Sequence, residues 1–146
     1  MRYSNFILAA LLMVFCGAAY AQQQMDPWTE GQLMATETLA TRITDGDADN
    51  LVILTIGFDA IIKGSVDIGP AMEEENVGKL REYLEELPQD AEVVIYCGCC
   101  PFERCPNVRP AFKVLNEMGF ANAKLLDIPQ NIKVDWLDKG YPVNDE

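Results

Sequence analysis

The sequence predicts a single α/β domain with a central, mainly parallel sheet flanked by helices. Two continuous β-branched and apolar runs, residues 51–56 and 93–96, are typical of strands buried on both faces of a sheet. Between them, residues 73–87 carry apolar side chains at helical spacing. Strands that alternate with helices indicate a parallel sheet, because each connection must cross from one end of the sheet to the other.

The remaining elements follow from capping residues and breakers. We predict, in chain order, a helix from Thr29 to about Ile43, the strand 51–56, an irregular loop over 58–70, the helix 73–87, the strand 93–96, a helix from Asn107 to Gly119, the strand 123–126 and a helix from Asn131 to Asp138. Thr29, Asn107 and Asn131 are expected caps because their side chains can accept from free N–H groups. Gly119 suits the left-handed residue that follows a helix.

The first residues have the layout of a secretory signal peptide. A basic residue is followed by a short apolar run and then by Ala19-Tyr20-Ala21, which offers small residues at the cleavage positions. We expect residues 1–21 to be removed, 22–28 to form a leader and 29–146 to form the domain. Lipid attachment at Cys16 and a retained anchor are the alternatives. Cleavage implies a periplasmic or secreted protein without membrane attachment.

The net charge of the chain limits the classes of molecule that it is expected to bind. The 146 residues include 11 basic and 23 acidic side chains and no histidine, for a net charge of −12. No basic tract interrupts this acidity, so nucleic acid and anionic membranes are poor partners. A hydrophobic content of 49% is that of a folded domain rather than a disordered segment.

Four cysteines lie within nine positions directly after the second strand: Cys97, Cys99, Cys100 and Cys105. Bridges within such a cluster would close only short loops and constrain the unfolded chain little, so reactivity or metal binding is favoured over a structural role. Cys97 would end a strand just before a helix. Free backbone N–H groups at a helix start stabilise a thiolate, so Cys97 is the candidate nucleophile.

The residues around this cysteine predict a pocket for an oxyanion. Gly98 permits a tight turn, and the N–H groups of that turn can form an anion-binding nest. Arg104 and Arg109 supply fixed positive charge in an otherwise acidic chain. We therefore expect Gly98, Cys99, Cys100 and Arg104 to contact the substrate, with Cys97 at the floor of the pocket.

Two segments carry distinctive motifs: Val-Val-Ile-Tyr-Cys at residues 93–97 and Trp-Leu-Asp-Lys-Gly-Tyr-Pro-Val at residues 136–143. The first resembles the strand and catalytic cysteine, and the second the closing Trp-x-x-x-Gly-Tyr-Pro-Val, of the rhodanese family of sulfurtransferases. Residues 116–120 resemble the end of its next helix, and 64–71 loosely resemble its upstream turn. The likeness covers nearly all of the mature chain. It implies a rhodanese-like domain and sulfur transfer through a persulfide on Cys97.

The chain departs from the family pattern at three places. Thr55-Ile56-Gly57 stands where the family usually has Asp-Val-Arg, and the histidine of the upstream turn is missing. The active loop is longer and carries Cys99, Cys100 and Cys105 in addition to the expected nucleophile.

We predict an exported sulfurtransferase that uses neither a metal nor another cofactor. Cys97 would take sulfane sulfur from a small sulfur-containing anion or a thiol donor and pass it to cyanide, a thiol or a protein acceptor. One alternative is a thiol–disulfide redox protein in which Cys100 or Cys105 resolves or bridges Cys97. A second is a soft-metal-binding module, and a third is an inert domain closed by disulfides. The short spacing of the first three cysteines is awkward for a tetrahedral metal site.

Overall fold

The protein is described by a computed structural model that covers residues 25–145. The predicted signal peptide and the first leader residues lie outside this range. The elements are β1 (Leu33–Ala35), α1 (Thr36–Asp45), β2 (Leu51–Thr55), β3 (Ser65–Asp67), α2 (Glu74–Glu85), β4 (Glu92–Tyr96), α3 (Val108–Glu117), β5 (Lys124–Asp127) and α4 (Ile132–Asp135), with short 3-10 turns at Glu30–Gln32, Phe102–Arg104 and Leu137–Lys139. Within residues 25–145 no helix has the length and apolar character needed to cross a bilayer.

The strands form one five-stranded sheet in the order β1-β5-β4-β2-β3, and every pairing between these strands is parallel. The predicted α/β class with a central parallel sheet is therefore confirmed. β4 lies in the middle of the sheet and pairs with β2 from Leu51 opposite Glu92 to Thr55 opposite Tyr96. Since helices cover both faces, a central strand must be apolar on both sides, which explains the uninterrupted runs.

Two hydrophobic cores lie on opposite faces of the sheet. Val93 and Ile95 of β4 join the core that includes residues of α2 and α3, whereas Val94 and Tyr96 join the core that includes residues of α1 and Trp136. This alternation is the expected consequence of a strand's two-residue period. Trp136 is fully buried and its indole N–H donates to the carbonyl of Pro142 at 2.9 Å. The closing segment is thereby fastened to the domain.

The predicted helix from Thr29 to about Ile43 is wrong in its first half. The backbone N–H of Thr29 donates to the side chain of Gln32 at 2.9 Å, around a 3-10 turn rather than an α-helix. The chain then forms β1, in which Leu33 lies opposite Leu125, and α1 begins only at Thr36. Three residues are too few to show strand periodicity, so the pairing with β5 overrides the helical pattern.

The stretch predicted as an irregular loop also contains a strand. Ser65 to Asp67 pairs in parallel with residues 53–55 at the edge of the sheet.

Two predictions about the ends of helices are confirmed. Gly119 has a positive φ of 81° after α3, and the side chain of Asn131 accepts from the N–H of Val134 at 3.0 Å at the start of α4.

Candidate functional site

Cys97 follows the last residue of β4, at the carboxyl edge of the sheet. The residue is only 1% exposed. The neighbouring chain after β2 makes room for its sulfur through Gly57, where an added Cβ would lie 2.7 Å from Cys97 Sγ. The position opposite the sulfur therefore requires a residue without a side chain. Gly57 is one of the positions at which the chain departs from the family pattern.

Asn107 supports the sulfur from the other side. Its amide nitrogen donates to Cys97 Sγ at 3.4 Å, and its amide oxygen accepts from the backbone N–H of Met72 at 2.9 Å. The prediction that this side chain caps α3 is wrong, since no capping hydrogen bond forms and the residue itself has helical φ and ψ. The buried amide instead links the sulfur to the loop before α2. Sequence reasoning missed this role because both partners are distant along the chain.

The surroundings lower the pKa of Cys97 to about 5, from 9.0 for an ordinary thiol. The hydrogen bond from the Cys105 thiol is the largest cause, the backbone N–H of Cys99 and the amide of Asn107 add to it, and burial opposes it. The expected thiolate at the strand end is consistent with this arrangement, although thiol and amide donors contribute as well as backbone N–H groups. At neutral pH the sulfur of Cys97 is ionised.

The thiols of Cys99 and Cys105 are held in the protonated state. The hydrogen bond to the Cys97 sulfur raises the pKa of Cys105, and burial adds to the effect. Burial raises the pKa of Cys99 to about 12, with further contributions from Cys100 and Cys97. The loop therefore carries one anion with protonated thiols beside it.

The sulfur atoms of the loop lie close together. Cys99 Sγ is 3.4 Å from Cys97 Sγ, 3.1 Å from Cys100 Sγ and 3.9 Å from Cys105 Sγ. All four cysteines of this loop are free thiols. Cys97 and Cys105 are buried, Cys100 is half-buried and Cys99 is exposed. The loop thus presents one exposed thiol directly beside the buried thiolate.

Gly98 is packed against Ile132 at the start of α4. Its carbonyl accepts from the N–H of Ile132 at 2.9 Å, and an added Cβ would lie 2.7 Å from the Cβ of that residue. Gly98 therefore lets the loop pack directly on the start of α4. The sequence signal for this packing is the glycine itself, for which the sequence analysis predicts a turn and a substrate contact but not this contact with α4.

The two arginines of the segment have different surroundings. Arg104 is an exposed residue at the end of the 3-10 turn 102–104. Arg109 donates to the carboxylate of Asp26 at 2.6 Å and to the carbonyl of Glu103 at 2.8 Å. It also lies over the ring of Trp28, 5.3 Å from the ring centroid. Arg109 thus fastens the leader to α3, and Arg104 is the arginine with its charge available to a ligand.

Comparison with known proteins identifies the fold. No protein-family model matches the sequence, and no curated protein matches it. Among solved structures, the single-domain sulfurtransferase RDL2 of Saccharomyces cerevisiae matches with a TM-score of 0.53 and 15% identity, over 75% of this chain and 90% of that one. Wild-type EanB matches with a TM-score of 0.53 and 18% identity, over 77% of this chain and 27% of EanB. The chain therefore has the rhodanese-like fold that its motifs predicted.

Proposed function

We propose that this protein is a sulfurtransferase that carries sulfane sulfur as a persulfide on Cys97. The observation that supports this most strongly is the buried Cys97 sulfur at the carboxyl end of the central strand, with the amide of Asn107 and the thiol of Cys99 each 3.4 Å away. Ligands of open α/β sheets bind beyond the carboxyl ends of the strands, so the sulfur lies where a substrate is expected. The neighbour RDL2 is itself described as a sulfurtransferase, which agrees with the proposal.

The low pKa serves both halves of the reaction. In the first, the Cys97 thiolate attacks the outer sulfur of thiosulfate, the S–S bond of the donor breaks, and sulfite leaves with the electron pair. In the second, cyanide or an acceptor thiolate attacks the outer sulfur of the persulfide, and Cys97 leaves again as a thiolate. A thiol with a low pKa is ionised before the first step and is a good leaving group in the second.

Three of the predicted substrate contacts can offer the donor anion a positive charge and hydrogen-bond donors. Arg104 offers an exposed positive charge near a loop that otherwise carries a negative sulfur, in a chain with a net charge of −12. Cys99 and Cys100 lie on the solvent side of Cys97 and offer thiol donors. We propose that these three residues receive the small sulfur-containing anion.

Two exposed apolar residues support a protein as the final acceptor. Phe58 follows Gly57, which touches the Cys97 sulfur, and is 64% exposed. Met72, whose N–H is bonded to Asn107, is 63% exposed. Large apolar side chains beside a reactive thiol suit contact with another protein. We propose an exported protein with a thiol or protein acceptor and with no nucleic-acid partner.

Turnover of thiosulfate with cyanide tests the proposal. The wild-type protein should form thiocyanate, Cys97→Ser should reduce the rate to the uncatalysed background, and a control variant in α2, Gly78→Ala, where nothing lies within 4 Å of the added Cβ, should retain the turnover of wild type. If Cys97→Ser turned over thiosulfate as fast as wild type, Cys97 would not be the sulfur carrier.

A thiol–disulfide exchange function has one observation in its favour. The low-pKa thiolate of Cys97 lies 3.4 Å from the sulfur of the exposed Cys99, which is a suitable pair for forming and breaking a bridge. Equilibration with glutathione buffers would measure the potential of this pair. A potential near that of thioredoxin, about −270 mV, would support exchange, and a much lower value would indicate a permanent bridge.

A further inference from the structure

Three of the four cysteine sulfurs of the loop 97–105 lie close together at the carboxyl edge of the sheet. We propose that Cys97, Cys99 and Cys105 form a binding site for a soft monovalent metal ion of the Cu(I) type. This inference does not depend on sulfur transfer, because it rests on the positions and chemistry of the three side chains alone.

The distances fit three ligands around one ion. Cys99 Sγ lies 3.4 Å from Cys97 Sγ and 3.9 Å from Cys105 Sγ, and all three sulfurs lie within 4.8 Å of one another. Three sulfurs that bind one ion in a plane at about 2.3 Å would be roughly 4.0 Å apart. The sulfurs therefore need to shift only slightly to close around an ion.

The fold holds two of the ligands in place. Cys97 is fixed at the end of β4, and Cys105 is fully buried after the 3-10 turn 102–104. That turn is anchored because the N–H of Phe102 donates to the carbonyl of Ile128 at 3.0 Å and the N–H of Cys105 donates to the carbonyl of Phe102 at 3.2 Å. Cys99 is exposed and completes the group from the solvent side. An ion can therefore enter past Cys99 and reach two preset thiols.

The composition of the group selects the ion. All three ligands are sulfur, the chain has no histidine, and no carboxylate belongs to this group. Thiolates favour Cu(I) and Zn(II) over harder ions. Structural Zn(II) sites almost always have four ligands, and Cys100, although 3.1 Å from Cys99, does not belong to the converging group. Three sulfur ligands without a fourth therefore suit Cu(I) better, with the thiol protons of Cys99 and Cys105 released to solvent as the ion binds.

Such a site would also control the reactive sulfur. An ion bound to Cys97 uses the same lone pairs that attack a sulfur donor, so binding and persulfide formation exclude each other. Occupancy by a soft metal would switch sulfur transfer off, and a persulfide on Cys97 would prevent metal binding.

Anaerobic titration of the reduced protein with Cu(I), in competition with a Cu(I) chelator, tests the site. We expect one ion per chain and three sulfur neighbours by X-ray absorption. Cys99→Ser should weaken binding by at least about tenfold, whereas Cys100→Ser, which changes the adjacent residue, should bind as wild type. Cys99 is exposed, so its substitution leaves the cores intact, and circular dichroism confirms the fold.

The proposal is overturned if Cys99→Ser binds Cu(I) as tightly as wild type, or if Cys100→Ser loses as much affinity as Cys99→Ser. It is also overturned if the protein takes up Zn(II) with four sulfur neighbours in preference to Cu(I). Thiosulfate turnover is measured separately on metal-free protein, so a failure of either function is recognised independently of the other.

Discussion

Charged side chains at the amino and carboxyl ends of the strands, which form the amino and carboxyl edges of the sheet, have different kinds of partners. At the amino edge, the guanidinium of Arg42 donates to both oxygens of Glu92, at 2.8 and 3.0 Å, and this contact raises the pKa of the arginine and lowers that of the glutamate. At the carboxyl edge, thiol, amide and N–H donors hold the Cys97 anion. A charge paired with an opposite charge is neutralised, whereas an anion held by neutral donors keeps its charge for reaction.

The volume of a surface cavity does not indicate which edge of this sheet carries the reactive side chains. A broad concavity of about 740 Å³ opens at the amino edge, and polar residues such as Asp49, Asn50 and Asp90 form part of its lining. The thiols nevertheless lie at the opposite edge. Loops at the carboxyl ends of parallel strands converge there, which brings together residues that are separated in sequence. The comparison predicts that substitutions at the carboxyl edge change activity and those at the amino edge change only stability.

After the loss of Cys97 itself, the largest expected effect is that of Gly57→Ala. The added methyl group would meet Cys97 Sγ at 2.7 Å and push the sulfur away from its donors. A reacting atom that is displaced by up to about 1 Å reacts more slowly. We therefore expect the turnover of thiosulfate to fall by roughly tenfold to a hundredfold. Steady-state kinetics measures the loss.

Gly78→Ala is the matched control, because nothing lies within 4 Å of the Cβ that it adds inside α2. It should retain full turnover and stabilise the fold by about 0.5–1 kcal/mol. Equal losses in the two variants would show that the sulfur position does not govern the reaction.

The pH dependence of Cys97 reactivity is the next largest effect. Because its pKa is lowered to about 5, the thiolate is fully formed at neutral pH and is lost as the pH falls through about 5. Alkylation of Cys97, followed by peptide mass spectrometry, should be constant above pH 6 to 7 and fall about tenfold per pH unit well below the pKa. A rate that instead rose steadily toward pH 9 would indicate an ordinary thiol.

Asn107→Ala should have a smaller effect with two components. Loss of the amide leaves the N–H of Met72 without its acceptor and removes one donor from the Cys97 sulfur. We expect unfolding to become easier by about 1–3 kcal/mol and the alkylation midpoint of Cys97 to move to higher pH. Denaturant unfolding and the pH profile measure these two changes. An unchanged midpoint would mean that Asn107 acts on the fold alone.

Arg42→Ala at the amino edge should have the smallest effect. The side chains of the pair are 25% and 32% exposed, so we expect a loss of roughly 1 kcal/mol or less in the free energy of unfolding. Thiosulfate turnover should equal that of wild type. A large loss of turnover in the folded variant would contradict the division of roles between the two edges.

Strong periodicity made most of the fold predictable. The long apolar runs of β2 and β4 and the stripe of α2 leave few alternatives, and the order of elements then implies a parallel sheet. β1 and β3 were missed because each has three residues and takes its conformation from a neighbouring strand. Short edge strands carry too little pattern of their own to be read from sequence.

The site was predictable in its centre and not in its surroundings. Cys97 could be placed because it directly follows a strand, which sequence shows. Asn107 and Gly57 could not be placed, because their contacts with the sulfur join segments that are distant along the chain. The convergence of Cys105 with Cys97 and Cys99 likewise depends on how the loop folds back over the sheet edge. The spacing of the first three cysteines is awkward for a tetrahedral metal site, and the site that we propose avoids it by using Cys105 instead of Cys100.

The central claim is that the sulfur of Cys97 accepts and carries sulfane sulfur. Mass spectrometry of the metal-free, reduced protein after thiosulfate treatment, with fragmentation to locate the modification, tests this directly. We predict the mass of one sulfur atom on Cys97, which cyanide removes with formation of thiocyanate. A Cys97 that stays an unmodified thiol, in folded protein that has been exposed to excess thiosulfate, would contradict the account.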